Sequence, residues 1–102
     1  MNTTHNITFS VDLTTQINDG IFNSNIDLVE VRGSLNDWWG GTLIAQNDNI
    51  YTGTFDILGN TGDIIYFKYW TQSLFYEKGL DRNLTLGDPN IPQVLDTVFF
   101  NG

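Results

Sequence analysis

The run from Asp63 to Thr71, DIIYFKYWT, decides how the chain is read. Period-two alternation sorts its side chains into Ile65, Phe67 and Tyr69 on one face and Ile64, Tyr66, Lys68 and Trp70 on the other. The lysine settles which face is wet. A lone ammonium is rarely buried unpaired, so the Lys68 face is the wetter one, and Tyr66 and Trp70 share it.

The same alternation extends outward. Ile7, Phe9, Val11 and Leu13 alternate with Asn6, Thr8, Ser10 and Asp12, and Val29 and Val31 turn inward while Glu30 and Arg32 turn outward. Strands are expected at His5 to Leu13, Leu28 to Gly33, Gly41 to Ile44, Ile50 to Leu58, Asp63 to Thr71, Leu74 to Tyr76, Arg82 to Leu86 and Val94 to Phe100. Turn chemistry separates them: Asn18-Asp19-Gly20, Gly40-Gly41, Asn47-Asp48-Asn49, Gly59 to Gly62 and Gly87 to Asn90. No segment sustains a 3.6-residue period. The expectation is all-β, an antiparallel immunoglobulin-like β-sandwich of seven or eight strands, with residues 1–102 forming a single module.

Composition narrows the partners. Twelve acidic against four basic residues give a net charge of -8, which argues against nucleic acid and anionic membranes, since both need a Lys/Arg footprint. Aromatic residues make up 14% of the chain, more than a 102-residue domain can hide, so some rings must reach the surface. With no cysteine there is neither a disulfide nor a thiolate metal site, and a lone His5 leaves imidazole metal or triad chemistry without parts. Apolar runs fall far short of the roughly 20 residues a membrane span needs. No basic and apolar leader opens the chain, so the start reads as that of an excised module whose export signal, if any, lies upstream.

Catalytic constellations are missing. Carboxylates such as Asp19, Asp37, Asp48 and Asp88 sit in turns, where they bond local amides, and there is no Gly-x-Ser-x-Gly elbow or glycine-rich loop opening a helix. The expectation is a protein that is not an enzyme and needs no cofactor; Asn47, Asp48 and Asn49 offer oxygens to calcium but lack the spacing of a known loop. Binding is better supplied. A sugar presents apolar C–H faces and polar hydroxyls, and its receptor needs flat rings plus a few charged or amide groups. Trp38 and Trp39 in a loop, Lys68 and Trp70 on the wet face, and Tyr76 with Glu77 are the candidates. Adjacent residues of an extended segment point opposite ways, so one of the paired tryptophans plugs the open end of the sandwich and the other faces out.

In order, VEVRGSLNDWW, YTGTFDI, IIYFKYW and FYEKGLDR resemble the starch-binding modules of carbohydrate-binding family 20 and the related glycogen-binding family 48, over Leu28 to Leu86. The chain is also similar to sandwich modules appended to secreted glycan-degrading enzymes of Bacteroidetes-type bacteria. The resemblance implies a non-catalytic carbohydrate-binding module for an α-glucan. It places Trp38 at the family's turn tryptophan, Lys68 at its strand lysine, Tyr76 at its second stacking ring and Glu77 at the glutamate that follows. Asp81 stands where the family has asparagine, and Arg82 matches the family's arginine. Two departures are visible: tyrosine is a smaller platform than tryptophan, and an ionised Asp81 accepts but does not donate. The implied partners are a polysaccharide and covalently linked catalytic or anchoring domains, at an extracellular or cell-surface location. An algal galactan or other marine glycan is the alternative ligand, with heavily sulfated ones disfavoured by the charge. A structural spacer, with its tryptophans in the core, is the rival reading.

Overall fold

The computed structural model describes residues 3–35, 40–46 and 49–102. Among these residues nine strands and one short helix follow in the order β1 (Thr3–Asp12), α1 (Thr14–Asn18), β2 (Val29–Gly33), β3 (Thr42–Ala45), β4 (Ile50–Gly59), β5 (Ile64–Thr71), β6 (Phe75–Tyr76), β7 (Arg82–Thr85), β8 (Gln93–Val94) and β9 (Val98–Phe99). They join in the order β6-β5-β2-β3-β4-β1-β8, with β7 also on β5 and β9 also on β1. Strand β3 pairs with β2 on one side and β4 on the other, where the sheet turns over on itself. The result is an all-β, sandwich-like fold, as the alternation predicts.

Alternation positions the core. Ile7, Phe9 and Val11 of β1, with Leu13 beyond it, are fully buried, as are Val29 and Val31 of β2; Ile65, Phe67 and Tyr69 of β5, beside β2 in the same sheet, face β1 across the core. The rings of Phe9 and Phe67 meet edge to face at 5.1 Å, and those of Phe67 and Tyr69 at 5.7 Å. The Ser10 N–H donates to the Tyr69 hydroxyl across the two layers at 3.2 Å. Lys68 and Trp70 are half-buried on the other face and Tyr66 is exposed, as the lysine argument requires.

Three local features depart from the sequence reading. Residues 14–18 form a helical turn, begun where the Asp12 carboxylate accepts the Thr14 N–H at 2.8 Å; five residues are too few for a 3.6 period to show. The expected last strand, Val94 to Phe100, is two short strands separated by Leu95 to Thr97. These pair with β1 in parallel rather than antiparallel fashion, Ile7 opposite Gln93 and Val11 opposite Val98. Glu30 and Arg32 lie on the outward face of β2, as expected, yet both are buried. Alternation fixes the face a residue points to, and it does not say what covers that face.

Gly33 ends β2 at a point of close approach. A Cβ there would stand 2.2 Å from the Tyr66 carbonyl oxygen and 2.7 Å from the Phe67 Cα, both backbone atoms that cannot swing aside. The glycine is therefore required for β2 and β5 to remain paired as far as Phe67. Gly33→Ala is expected to destabilise by about 1–3 kcal/mol or more, seen as a fall in the urea midpoint. A second expectation concerns alkali. Burial pushes the Tyr69 hydroxyl up to about 12 from its usual 10, so the folded state holds that proton more tightly than the unfolded chain. The contribution is complete below pH 10 and is lost as pH rises to about 12. Over that window the wild type should lose about 2–3 kcal/mol more stability than Tyr69→Phe, measured by urea unfolding at each pH; equal slopes would show that Tyr69 does not govern alkaline unfolding.

Candidate functional site

The outer face of β2, β5 and β6 gathers the polar and aromatic candidates into two rows. Register places Glu30 beside Trp70 and Trp70 beside Tyr76, and, one step along, Arg32 beside Lys68. Arg32 reaches diagonally across: its guanidinium lies 3.9 Å from the Trp70 ring centre and 5.8 Å from that of Tyr76. Its Nε donates to the Glu30 carboxylate at 2.7 Å. Burial pulls the Arg32 pKa down, but hydrogen bonding with Tyr76 and Glu30 more than offsets it and leaves the guanidinium above its usual value. A planar cation stacked on an indole and tied to a carboxylate fixes the ring's orientation before any ligand arrives. One face of Trp70 is thereby covered, whereas Tyr76 keeps 40% of its surface exposed.

Beyond Tyr76 the chain leaves the edge of β5 as a turn, residues 77–81, and returns as β7. This turn is held from both sides of the sheet. From the outer face the Lys68 ammonium donates to the Glu77 carbonyl at 3.1 Å and to the Gly79 carbonyl. From the inner face the buried Glu77 carboxylate accepts the Tyr69 N–H at 3.0 Å and a forked pair of bonds from Arg82, both at 2.8 Å. Arg82 also donates to the carbonyls of Phe99 and Gly102, at 3.1 and 3.0 Å, which ties the C-terminal strands to the same turn. Hydrogen bonding to Glu77, which outweighs desolvation, holds the Arg82 pKa above its usual value.

The structure therefore divides the residues expected at the site. Lys68, Trp70 and Tyr76 share the outer face. Glu77 and Arg82, expected at a ligand's rim, close on each other beneath it: Tyr76 points out, so Glu77 points in, and Arg82 is opposite Phe67, whose ring is in the core. Asp81 is exposed and lines an open depression of about 510 Å³ with Tyr66, Gly79, Leu80 and Asn83. Trp38 and Trp39 lie outside the described residues, as do Asn47 and Asp48 of the calcium expectation. Among the described residues no group of three or more His, Asp or Glu is placed to hold a metal ion. Arg32 is the component that sequence reasoning missed. Its signal was present in the outward Glu30-Val-Arg32 spacing, which sets two opposite charges on one face beside the Lys68 and Trp70 register.

No family model matches the sequence, and no curated protein does. Among solved structures, the chain is similar to the glycoside hydrolase family 15 glucoamylase from Hypocrea jecorina, with a TM-score of 0.69 and 20% identity. The similarity covers 98% of this chain and only 18% of the glucoamylase chain. At this identity the likeness is one of fold.

Proposed function

We propose that this chain is a non-catalytic carbohydrate-binding module that holds a neutral polysaccharide, an α-glucan of the starch type, against the outer face of β2, β5 and β6. The observation that carries the proposal is the half-exposed Tyr76 ring set beside an indole already locked by Arg32, with the Lys68 ammonium next to them. A tyrosine ring takes the C–H face of a pyranose, and the neighbouring donors take its hydroxyls. Lys68 gives two carbonyl bonds to the turn, and a third N–H remains for a ligand oxygen. Trp38 and Trp39 follow Gly33, Ser34 and Leu35 from the end of β2, and are the further rings of this reading.

Two arguments favour a binder over an enzyme. The buried carboxylates among the described residues, Glu30 and Glu77, are each engaged by an arginine and so are poorly placed to trade protons with a substrate. The fold likeness to 18% of a glucoamylase suits an accessory domain, and it favours an α-linked glucan over a marine galactan. In this reading the module tethers a linked catalytic or surface-anchoring domain to its substrate outside the cell, raising local concentration.

Affinity gels containing glycogen, amylopectin, laminarin, xylan or alginate test this directly. The wild type should be retarded by the α-glucans, and Tyr76→Ala should weaken retardation about tenfold, as loss of about 1.4 kcal/mol of stacking and contact would give. Unretarded migration in all five gels would overturn the reading in favour of a spacer. Arg82→Ala should behave differently, because it strands the Glu77 carboxylate: a loss of about 3 kcal/mol of stability, with unchanged affinity in the fraction that remains folded. Selective loss of retardation in a fully stable Arg82→Ala variant would return that arginine to the ligand.

A further inference from the structure

Four residues on from Tyr66 along β5, Trp70 and its neighbour Tyr76 form the patch described above. Tyr66 itself begins a second one on the same face. Tyr66 is 48% exposed, and its cross-strand partner on β7 is Asn83. The turn 77–81 forms the opposite wall, where Leu80 is 94% exposed and Asp81 is open to solvent, completing the depression of about 510 Å³.

What separates this patch from the rest of the face is its unspent hydrogen-bonding capacity. On the rest of the face Glu30 and Arg32 are engaged with each other and Lys68 spends two of its three N–H groups on backbone carbonyls, while Glu77 and Arg82 close on each other beneath it. The bonds of Tyr66 to Ser34 run through its backbone N–H and carbonyl, which leaves the phenol hydroxyl without a protein partner among the described residues. The Asp81 carboxylate and the Asn83 amide are likewise without partners there. An exposed ring, an apolar side chain and three free polar groups of mixed donor and acceptor character around one concavity match a hydroxyl-rich ring with apolar faces. The Asp81 carboxylate and the net charge of -8 disfavour a sulfated or uronic acid chain.

We infer that the depression lined by Tyr66, Leu80, Asp81 and Asn83 is a second contact subsite for the same neutral glucan chain, which runs along β5 from Tyr76 past Lys68 to Tyr66. The inference rests on the reading given under Proposed function. Four residues of extended strand separate Tyr66 from Trp70 by about 13 Å, so a chain of several sugars is needed to touch both patches. Lys68 lies between them with its ammonium drawn sideways onto the turn carbonyls, where it can bond a hydroxyl of a sugar bridging the two. The module is therefore selective for long chains over short oligosaccharides.

Isothermal titration with maltotriose and with maltoheptaose is the test, on the wild type, Tyr66→Ala and Asn83→Ala. Wild-type affinity should rise about tenfold or more from the trisaccharide to the heptasaccharide, and each variant should cut that gain to about threefold or less. Both side chains are at the surface, so melting temperatures should hold; Asp81→Asn is the substitute if either variant unfolds, and it should shift heptasaccharide affinity without changing that of the trisaccharide. Full retention of the chain-length gain in all the variants, or no gain in the wild type, would overturn the subsite while leaving the Tyr76 patch intact. A wild type that binds neither oligosaccharide would overturn the glucan reading, and the subsite with it.

Discussion

The turn between β6 and β7 depends on two cations that grip it from opposite sides of one sheet. Lys68 holds its carbonyls from the outer face, and Arg82 holds the Glu77 carboxylate from the inner one. A five-residue excursion from the edge of a strand has few ladder bonds of its own, and without such anchors it would be among the first segments to open. Both patches of the outer face hang on this grip, because Tyr76 enters the turn while Leu80 and Asp81 leave it. In the proposed reading, the geometry offered to a glycan is thus set by groups that need not touch it. Building the site on strands and a doubly anchored turn limits the ordering entropy that binding must overcome.

A similar division of labour appears at Arg32. Stacked on Trp70 and bonded to Glu30, it converts a flexible surface indole into a fixed wall. A buried ion pair is seldom a net source of stability, since desolvation consumes most of the attraction. Its contribution here is orientation, which a hydrophobic pair of equal volume would supply less sharply.

The strands and their inward faces could be read from residue order because period two is short and the side chains that report it are large: Ile7, Phe9 and Val11 are all buried where alternation puts them. One lysine was enough to orient β5. The outer face was legible as a set of candidates and less so as an arrangement. Motif likeness carried Glu77 and Arg82 to the site by identity, but direction within a two-residue strand and opposite Phe67 sent both inward. Tyr66 and Asn83 were overlooked for the converse reason. Tyr66 was read on the wet face but matches no functional position of the motif around it, Asn83 lies just beyond the last motif, and the two become neighbours only through the pairing of β5 with β7, seventeen residues apart in the chain. The parallel C-terminal pairing was equally hidden, since short strands of either polarity share one sequence pattern.

That parallel pairing shapes how the chain must assemble. The first strand obtains its second row of partners only from Gln93 onward, and the buried Phe100 carbonyl accepts a bond from Gln16, eighty-four residues earlier. Contacts over so long a stretch of chain make loop closure a slow, late step in reaching the native state. During synthesis, residues 7–12 present an open β edge until the ribosome has released the last strands. Such an exposed edge is a template for another chain, so folding yield should depend on concentration more steeply than the modest size of the domain would suggest.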